Sequence, residues 1–379
     1  MERKYPGFTN DASKADVLRR AVDESPDDRA RLAALLTLAR HYVDVADGVN
    51  GFATAKLARS LALQLKDFVS AAHALNSVSV SQYHRSEYVS AIATALDAWD
   101  YATRSRSAVE TADSYFSMAF SLFGLGALDT AEQVVAKGLA SVSGSAQFLE
   151  PRIRLLRLRG ILFQARGSMD EAERAFVEAM EVAQGSTGTQ LAACYAMWAI
   201  GWLRTMDEQY GGRPVIPEKL REARAYLEKA LALAEADGDI FLATDRIGLL
   251  GVVALLERRW EQAEELLGHA LDRARSLDYV RTFVVSAVYL GRLYLEREDP
   301  ARAATVLRHA VTQARRGAAD DVLGYARSLL ATALERVGSG EEAAKERAAA
   351  AALRREVSED RRRALEEALR LVARIVEPG

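Results

Sequence analysis

The chain has 379 residues, half of them hydrophobic and 27% charged, with a formal net charge of -3. So weak a field excludes the strong electrostatic attraction that non-specific nucleic-acid or membrane-surface binding needs. The single cysteine, Cys194, excludes a disulfide framework and a cysteine-rich metal site.

Met1 to Pro6 lack the apolar core of a signal peptide, and no stretch offers the roughly 18 uninterrupted apolar residues of a membrane span. A cytoplasmic protein with no membrane partner is therefore expected. Arginine outnumbers lysine 42 to 8, which points to the codon usage of a GC-rich bacterium. Residues 1–28 carry no assigned element. From Arg29 to Leu65 two helical patterns follow, Leu32, Leu35, Leu36 and Ala39, then Leu57, Leu61 and Leu65. They make a weak first unit whose register the pattern leaves open.

From there a forty-residue repeat takes over. Its clearest copies are Gly160/Ala172/Phe176/Ala179, Gly251/Ala263/Leu267/Ala270 and Gly291/Ala303/Leu307/Ala310. The small residue that anchors the first helix of each unit recurs as Ser79, Ala119, Gly160, Gly201, Gly251, Gly291 and Ala331. The second helix answers with Ala91, Ala131, Ala172, Ala223, Ala263, Ala303 and Ala343, and seven residues later with Ala98, Gly138, Ala179, Ala230, Ala270, Ala310 and Ala350. Small side chains at fixed helical positions let two helices approach closely, which predicts antiparallel helical hairpins. Gly126, Gly167 and Gly338 stand where a left-handed helix cap is wanted, and Asp299-Pro300 reads as N-cap and first helical residue.

One unit is interrupted between Met206 and Arg221 by Gly211, Gly212, Arg213, Pro214 and Pro217, which adds ten residues. The segment reads either as a tolerated surface insertion or as a flap over a binding groove. After the last hairpin, residues 353–379 are expected to form one more helix, with Leu365, Leu369, Val372 and Val376 spaced 4, 3, 4. It would cap the array, a need every solenoid has; the same spacing suits a short coiled coil through which two copies would pair.

These residues resemble the tetratricopeptide repeat (TPR), whose pattern has a large residue, Leu-Gly, Tyr, then Ala, a bulky apolar residue and Ala. Leu249-Leu250-Gly251 to Ala270 and Tyr289-Leu290-Gly291 to Ala310 match it best, and Tyr88, Leu128, Met169 and Trp260 open second helices as the family's Tyr does. The period is 40 rather than 34 and the closing proline is missing, as in the long-helix TPRs of bacterial signalling proteins. The resemblance implies an all-α solenoid, a right-handed superhelix of about eight antiparallel hairpins over residues 29–352, with the C-terminal helix as cap. It also implies a binding groove lined by the first helices. Carried over position by position, the groove residues are Asp113, Phe116, Phe120 and Phe123, then Arg154, Arg157, Ile161 and Gln164, then Tyr195, Trp198, Trp202 and Thr205. The same positions in later units are more apolar, and of three asparagines only Asn76 falls in the groove.

No nucleophile elbow, phosphate-cradling loop, metal-ligand pair or nucleotide fingerprint appears, so an enzyme is not expected and no cofactor is called for. His269 and His309 share a repeat position about 10 Å apart, too far for joint metal ligation. The expected function is a scaffold or adaptor that binds a protein or peptide segment, in bacterial regulation. The alternative is a small-molecule or peptide sensor, as in the regulatory TPR region of a diguanylate cyclase or a transcription regulator.

Overall fold

A computed structural model describes residues 14–44, 47–142, 148–186, 188–207, 214–277, 279–316 and 320–376. Among these residues there are seventeen α-helices and no strand. No described helix is long and apolar enough to cross a membrane.

The chain divides into two compact units. The first comprises Met1–Leu155, Gly238–Ile240 and Glu367–Gly379; the second comprises Leu156–Asp237 and Phe241–Glu366. In the first unit α1 (Lys14–Asp23) precedes the hairpins α2 (Asp28–Asp44) with α3 (Gly48–Gln64), α4 (Phe68–His84) with α5 (Tyr88–Arg104) and α6 (Ala108–Leu125) with α7 (Leu128–Ser141). Next comes α8 (Leu149–Ala165), whose first turns belong to this unit. The second unit holds the rest of α8 with α9 (Met169–Ala183), then α10 (Gly188–Met206) with α11 (Pro217–Ala236), α12 (Ile240–Leu256) with α13 (Trp260–Ser276) and α14 (Val280–Glu296) with α15 (Pro300–Arg316). It ends with α16 (Asp320–Arg336) and most of α17 (Gly340–Val376).

The small-residue stripe is the packing seam. Every anchor from Ser79 to Ala331 and both rows of repeat-position small residues on the second helices, Ala91 to Ala343 and Ala98 to Ala350, are buried. At three hairpins the missing side chain is filled from the partner helix: a Cβ on Gly160 would lie 2.5 Å from the Phe176 ring, one on Gly251 2.7 Å from Leu267 Cγ, and one on Gly291 2.5 Å from Leu307 Cγ. At two units whose anchor carries a side chain, the residue sixteen further on is smaller, Ser79 with Ala95 and Ala119 with Val135, all fully buried, whereas Ala331 is followed at that spacing by the exposed Arg347. In these five hairpins the two positions trade volume, so their seam stays filled.

This seam also gives the register of the first hairpin. Ala39, Gly51 and Ala58 are buried at the spacing of Ser79, Ala91 and Ala98, and Ala39 faces the small residue Ala55. The described residues thus form eight hairpins. In front of it α1 is an element the sequence reading left unassigned; it packs Ala15 with Leu38 and Tyr42, and Arg19 Nε donates to the Tyr42 hydroxyl at 2.9 Å.

Gly126, Gly167 and Gly338 have positive φ, as expected. The equivalent turns of three other hairpins use Ser86 (φ 62°), Arg258 (φ 59°) and Glu298 (φ 58°), and Lys66 and Arg106 are left-handed at other turns. Such residues carry a steric penalty that glycine lacks. Glu298→Gly is therefore expected to stabilise the second unit by about 0.5–1 kcal/mol, after allowing for the extra freedom of glycine in the unfolded chain. A rise in the urea midpoint would register it. The Asp299 cap stands as read, with its carboxylate accepting from the Arg302 amide at 3.1 Å.

Two expected boundaries move. Pro217 opens α11 as its first residue and residues 218–221 are helical, so the end of the segment read as the interruption belongs to α11. The C-terminal segment is no separate cap starting at residue 353, because α17 runs unbroken from Gly340. No Gly or Pro interrupts residues 341–376, and the alanine run at 348–352 favours continuation. Its last turns belong to the first unit, where Ala368, Val372 and Ile375 are buried and Arg374 pairs with Asp100 of α5 at 3.5 Å. Leu369, expected on the apolar stripe, is 40% exposed, so the buried face is rotated from the expected one.

Candidate functional site

Successive first helices are joined by polar rungs, to which the groove positions Asn76, Asp113, Arg154 and Gln164 contribute. In the first unit His73 Nδ1 lies 3.0 Å from Glu110 Oε1, Asn76 donates to the Glu110 carbonyl at 3.1 Å, and Ser114 donates to Asn76 Oδ1 at 3.0 Å. Asn76 is thus committed to helix packing and is not offered to a ligand. Arg154 Nη2 reaches Asp113 at 2.7 Å from Oδ2 and 2.6 Å from Oδ1, with both side chains largely buried. In the second unit Gln164 donates to the Gly201 carbonyl at 3.1 Å and Thr282 to Asp245 at 3.2 Å.

Beside these rungs the first unit carries an aromatic row. Phe120 of α6 stacks on Tyr83 of α4 with ring centroids 3.7 Å apart, on Phe116 at 5.5 Å and, more loosely, on Phe123 at 6.4 Å. All four rings are only half-buried. Arg154 holds its guanidinium 5.9 Å from the Phe116 centroid, so one cation serves both Asp113 and the end of the row. Gly124 makes room: a Cβ there would clash with Tyr88 and come within 3.0 Å of Tyr83. Stacked rings at such spacing stabilise one another by ~0.5–1.5 kcal/mol per pair beyond the area they bury.

The second unit treats its expected groove aromatics differently. Trp198 is 1% exposed and packs edge-on against Tyr226 of α11 at 4.8 Å, while Tyr195 stacks on the same ring at 5.1 Å. Lys219 of α11 sits 5.2 Å from the Trp198 centroid and 4.9 Å from that of Trp202, anchored to Glu173 at 2.6 Å. Trp198 is therefore a core residue of its own hairpin, because α11 buries its indole and supplies the cation over its face; the sequence reading had placed it on an open surface. Arg157 and Trp202 are half-buried on the same run of first helices. Gly211, Gly212 and Arg213, read as a flap, lie outside the described residues, and Pro214 is exposed.

Arg292 is buried and meets Asp207 Oδ1 at 3.0 Å and Glu296 Oε1 at 2.8 Å. Burial works against its charge, but the Glu296 hydrogen bond, with Tyr325 and Asp207 nearby, outweighs it and holds the guanidinium pKa above its ordinary value. Burial also pushes the Cys194 thiol up to about 11, against a small opposing pull from Arg157. The thiolate is the reactive form, so Cys194 is expected to resist iodoacetamide at neutral pH in the folded chain and to react on unfolding. Rapid labelling of the native protein would contradict its placement. Among the described residues no group of His, Cys, Asp and Glu is arranged to hold a metal.

A seam of small residues, eight hairpins and polar rungs between first helices define a TPR-like α-solenoid. The model of one protein family, anaphase-promoting complex subunit 5, matches residues 73–206 and 250–336, more than half the chain. The chain belongs to that family. No curated protein sequence matches it. Among solved structures it is similar to a signal-transduction ATPase with a tetratricopeptide repeat sensor from Pyrococcus horikoshii, at TM-score 0.59 and 14% identity, over 93% of this chain and 55% of that one. It is also similar to the Rap conjugation gene regulator of plasmid pLS20 in complex with the Phr* peptide, at TM-score 0.57 and 16% identity over 82% of this chain and 80% of that one. The apo quorum sensor NprR from B. thuringiensis matches at TM-score 0.55 and 15% identity, over 89% of this chain and 91% of that one. At these identities the likeness concerns the fold.

Proposed function

We propose that this chain is a binding scaffold that holds a protein or peptide segment against the row Tyr83, Phe116, Phe120 and Phe123 of the first unit, with Arg154 at one end. The observation that supports it is the half-exposure of four rings in sequence on adjacent first helices. Rigid aromatics beside an arginine are the side chains that most often dominate binding energy, because they bury large area at little entropic cost. Similarity to a regulator solved with a bound peptide agrees with this reading. The proposed setting is regulation in the bacterial cytoplasm, with no chemistry performed on the bound segment.

The test is capture of partners from the host lysate on immobilised wild-type chain and on Phe116→Ala/Phe120→Ala. A hot-spot residue contributes about 1–2 kcal/mol or more, so the double variant should retain no more than about a tenth of the bound partner. Undiminished capture by a variant with native helical content would end the proposal.

A further inference from the structure

The polar contacts between first helices described above join neighbouring hairpins, and one further polar contact reaches beyond a neighbour. Asp207, the residue directly after α10, accepts from the Tyr289 hydroxyl at 2.6 Å and pairs with Arg292 Nη1 at 3.0 Å, across 82 and 85 residues of sequence. Both donors are on α14, two hairpins further along. Asp207 belongs to none of the helices; it opens the insertion that lengthens this one unit, and it is 1% exposed.

The donor set has a definite chemistry. Tyr289 addresses Oδ2 and Arg292 addresses Oδ1, so each carboxylate oxygen has its own donor, while Arg292 Nε is turned to Glu296 at 2.8 Å and fixes the plane of the guanidinium. A phenol and an arginine that divide the two oxygens of one planar anion recognise a carboxylate as a class.

We propose that Tyr289 and Arg292 form a carboxylate-binding subsite of the second unit, that Asp207 occupies it as a tethered stand-in, and that an acidic side chain of a partner peptide takes its place. The inference goes beyond the scaffold reading and uses none of its residues. A tethered group competes at an effective concentration in the millimolar range, so a peptide carboxylate enters only when further contacts of the same peptide support it. Asp207 thereby sets a threshold for binding.

The test uses fluorescein-labelled hexaglutamate and, as its neutral counterpart, hexaglutamine, followed by anisotropy on the full chain. Asp207→Ala should bind hexaglutamate about tenfold or more tighter than wild type, and the gain should vanish in Asp207→Ala/Arg292→Gln. Equal hexaglutamate affinity in wild type and a folded Asp207→Ala would overturn the proposal, as would an equal gain for hexaglutamine, which would reveal a mere cavity. Should Asp207→Ala fail to fold, hydrogen exchange on the wild-type chain decides. Hexaglutamate, but not hexaglutamine, should then speed exchange at residues 205–207, and unchanged exchange would refute the displacement.

Discussion

Leu267→Ala is expected to destabilise the second unit by about 2–5 kcal/mol, and Gly251→Ala by about 1–3 kcal/mol, yet the two together should cost clearly less than their sum. Leu267 is fully buried and its Cγ lies 2.7 Å from where a Gly251 Cβ would stand, so the first change opens a cavity and the second overfills the same place. In the double variant the new methyl enters the space the leucine vacates. The chain already contains that solution, because Ala39 faces Ala55 in the first hairpin with both residues fully buried. A coupling of about 1–2 kcal/mol is the expected size for residues in direct contact. Urea unfolding of the four-member cycle, with hydrogen exchange on α12 and α13, would measure it. Strict additivity would mean that the anchor and the bulky residue do not share one space.

Asp113→Ala should cost the first unit about 3–5 kcal/mol, because it leaves the Arg154 guanidinium largely buried without its carboxylate. Replacing both residues, as Asp113→Leu/Arg154→Met, should recover most of that loss, since a buried pair repays little more than its own desolvation. Thermal unfolding of the two variants separates the cases. If Asp113→Ala were as stable as wild type, Arg154 would have found another acceptor and the rung would be incidental. Because Arg154 also stands over Phe116, the double variant should in addition loosen the end of the aromatic row. The scaffold reading then predicts weakened capture even though stability returns.

The architecture was legible because close packing of two helices demands small residues at set intervals, and Ala263 and Gly251 announce that demand directly. The first hairpin was harder. Its anchor Ala39 was visible, but Gly51 stands where the other units have alanine, and a glycine there reads as a turn rather than as a seam. Left-handed turns were legible only at glycines; Ser86, Arg258 and Glu298 give no local sign, because the closing geometry of the hairpin imposes their conformation. Continuity of α17 could have been inferred from the absence of Gly and Pro after residue 340, but the change in apolar spacing suggested a new element. The candidate site was half legible. Repeat register brought Phe116, Phe120 and Phe123 to one face, whereas nothing in a one-dimensional pattern distinguished Trp198, which its own second helix covers. Tyr83 stands at the matching position one unit earlier, in a weaker copy of the repeat, and only its stacking on Phe120 shows it as part of the row. The role of Asp207 was beyond reach, since a contact across 85 residues leaves no periodic trace.

The volume exchange at the seam has a genealogical consequence. Gly251 and Leu267 lie on the two helices of one hairpin, as do Gly160 with Phe176 and Gly291 with Leu307. Each complementary pair is therefore inherited on one stretch of DNA of about fifty base triplets or fewer. Duplication or loss of a whole hairpin carries both halves of the fit together, whereas recombination within a hairpin parts them. Copying a whole hairpin therefore leaves this part of its packing intact, and only the fit to the neighbouring hairpins, such as Gly201 against Phe176, has to be met anew.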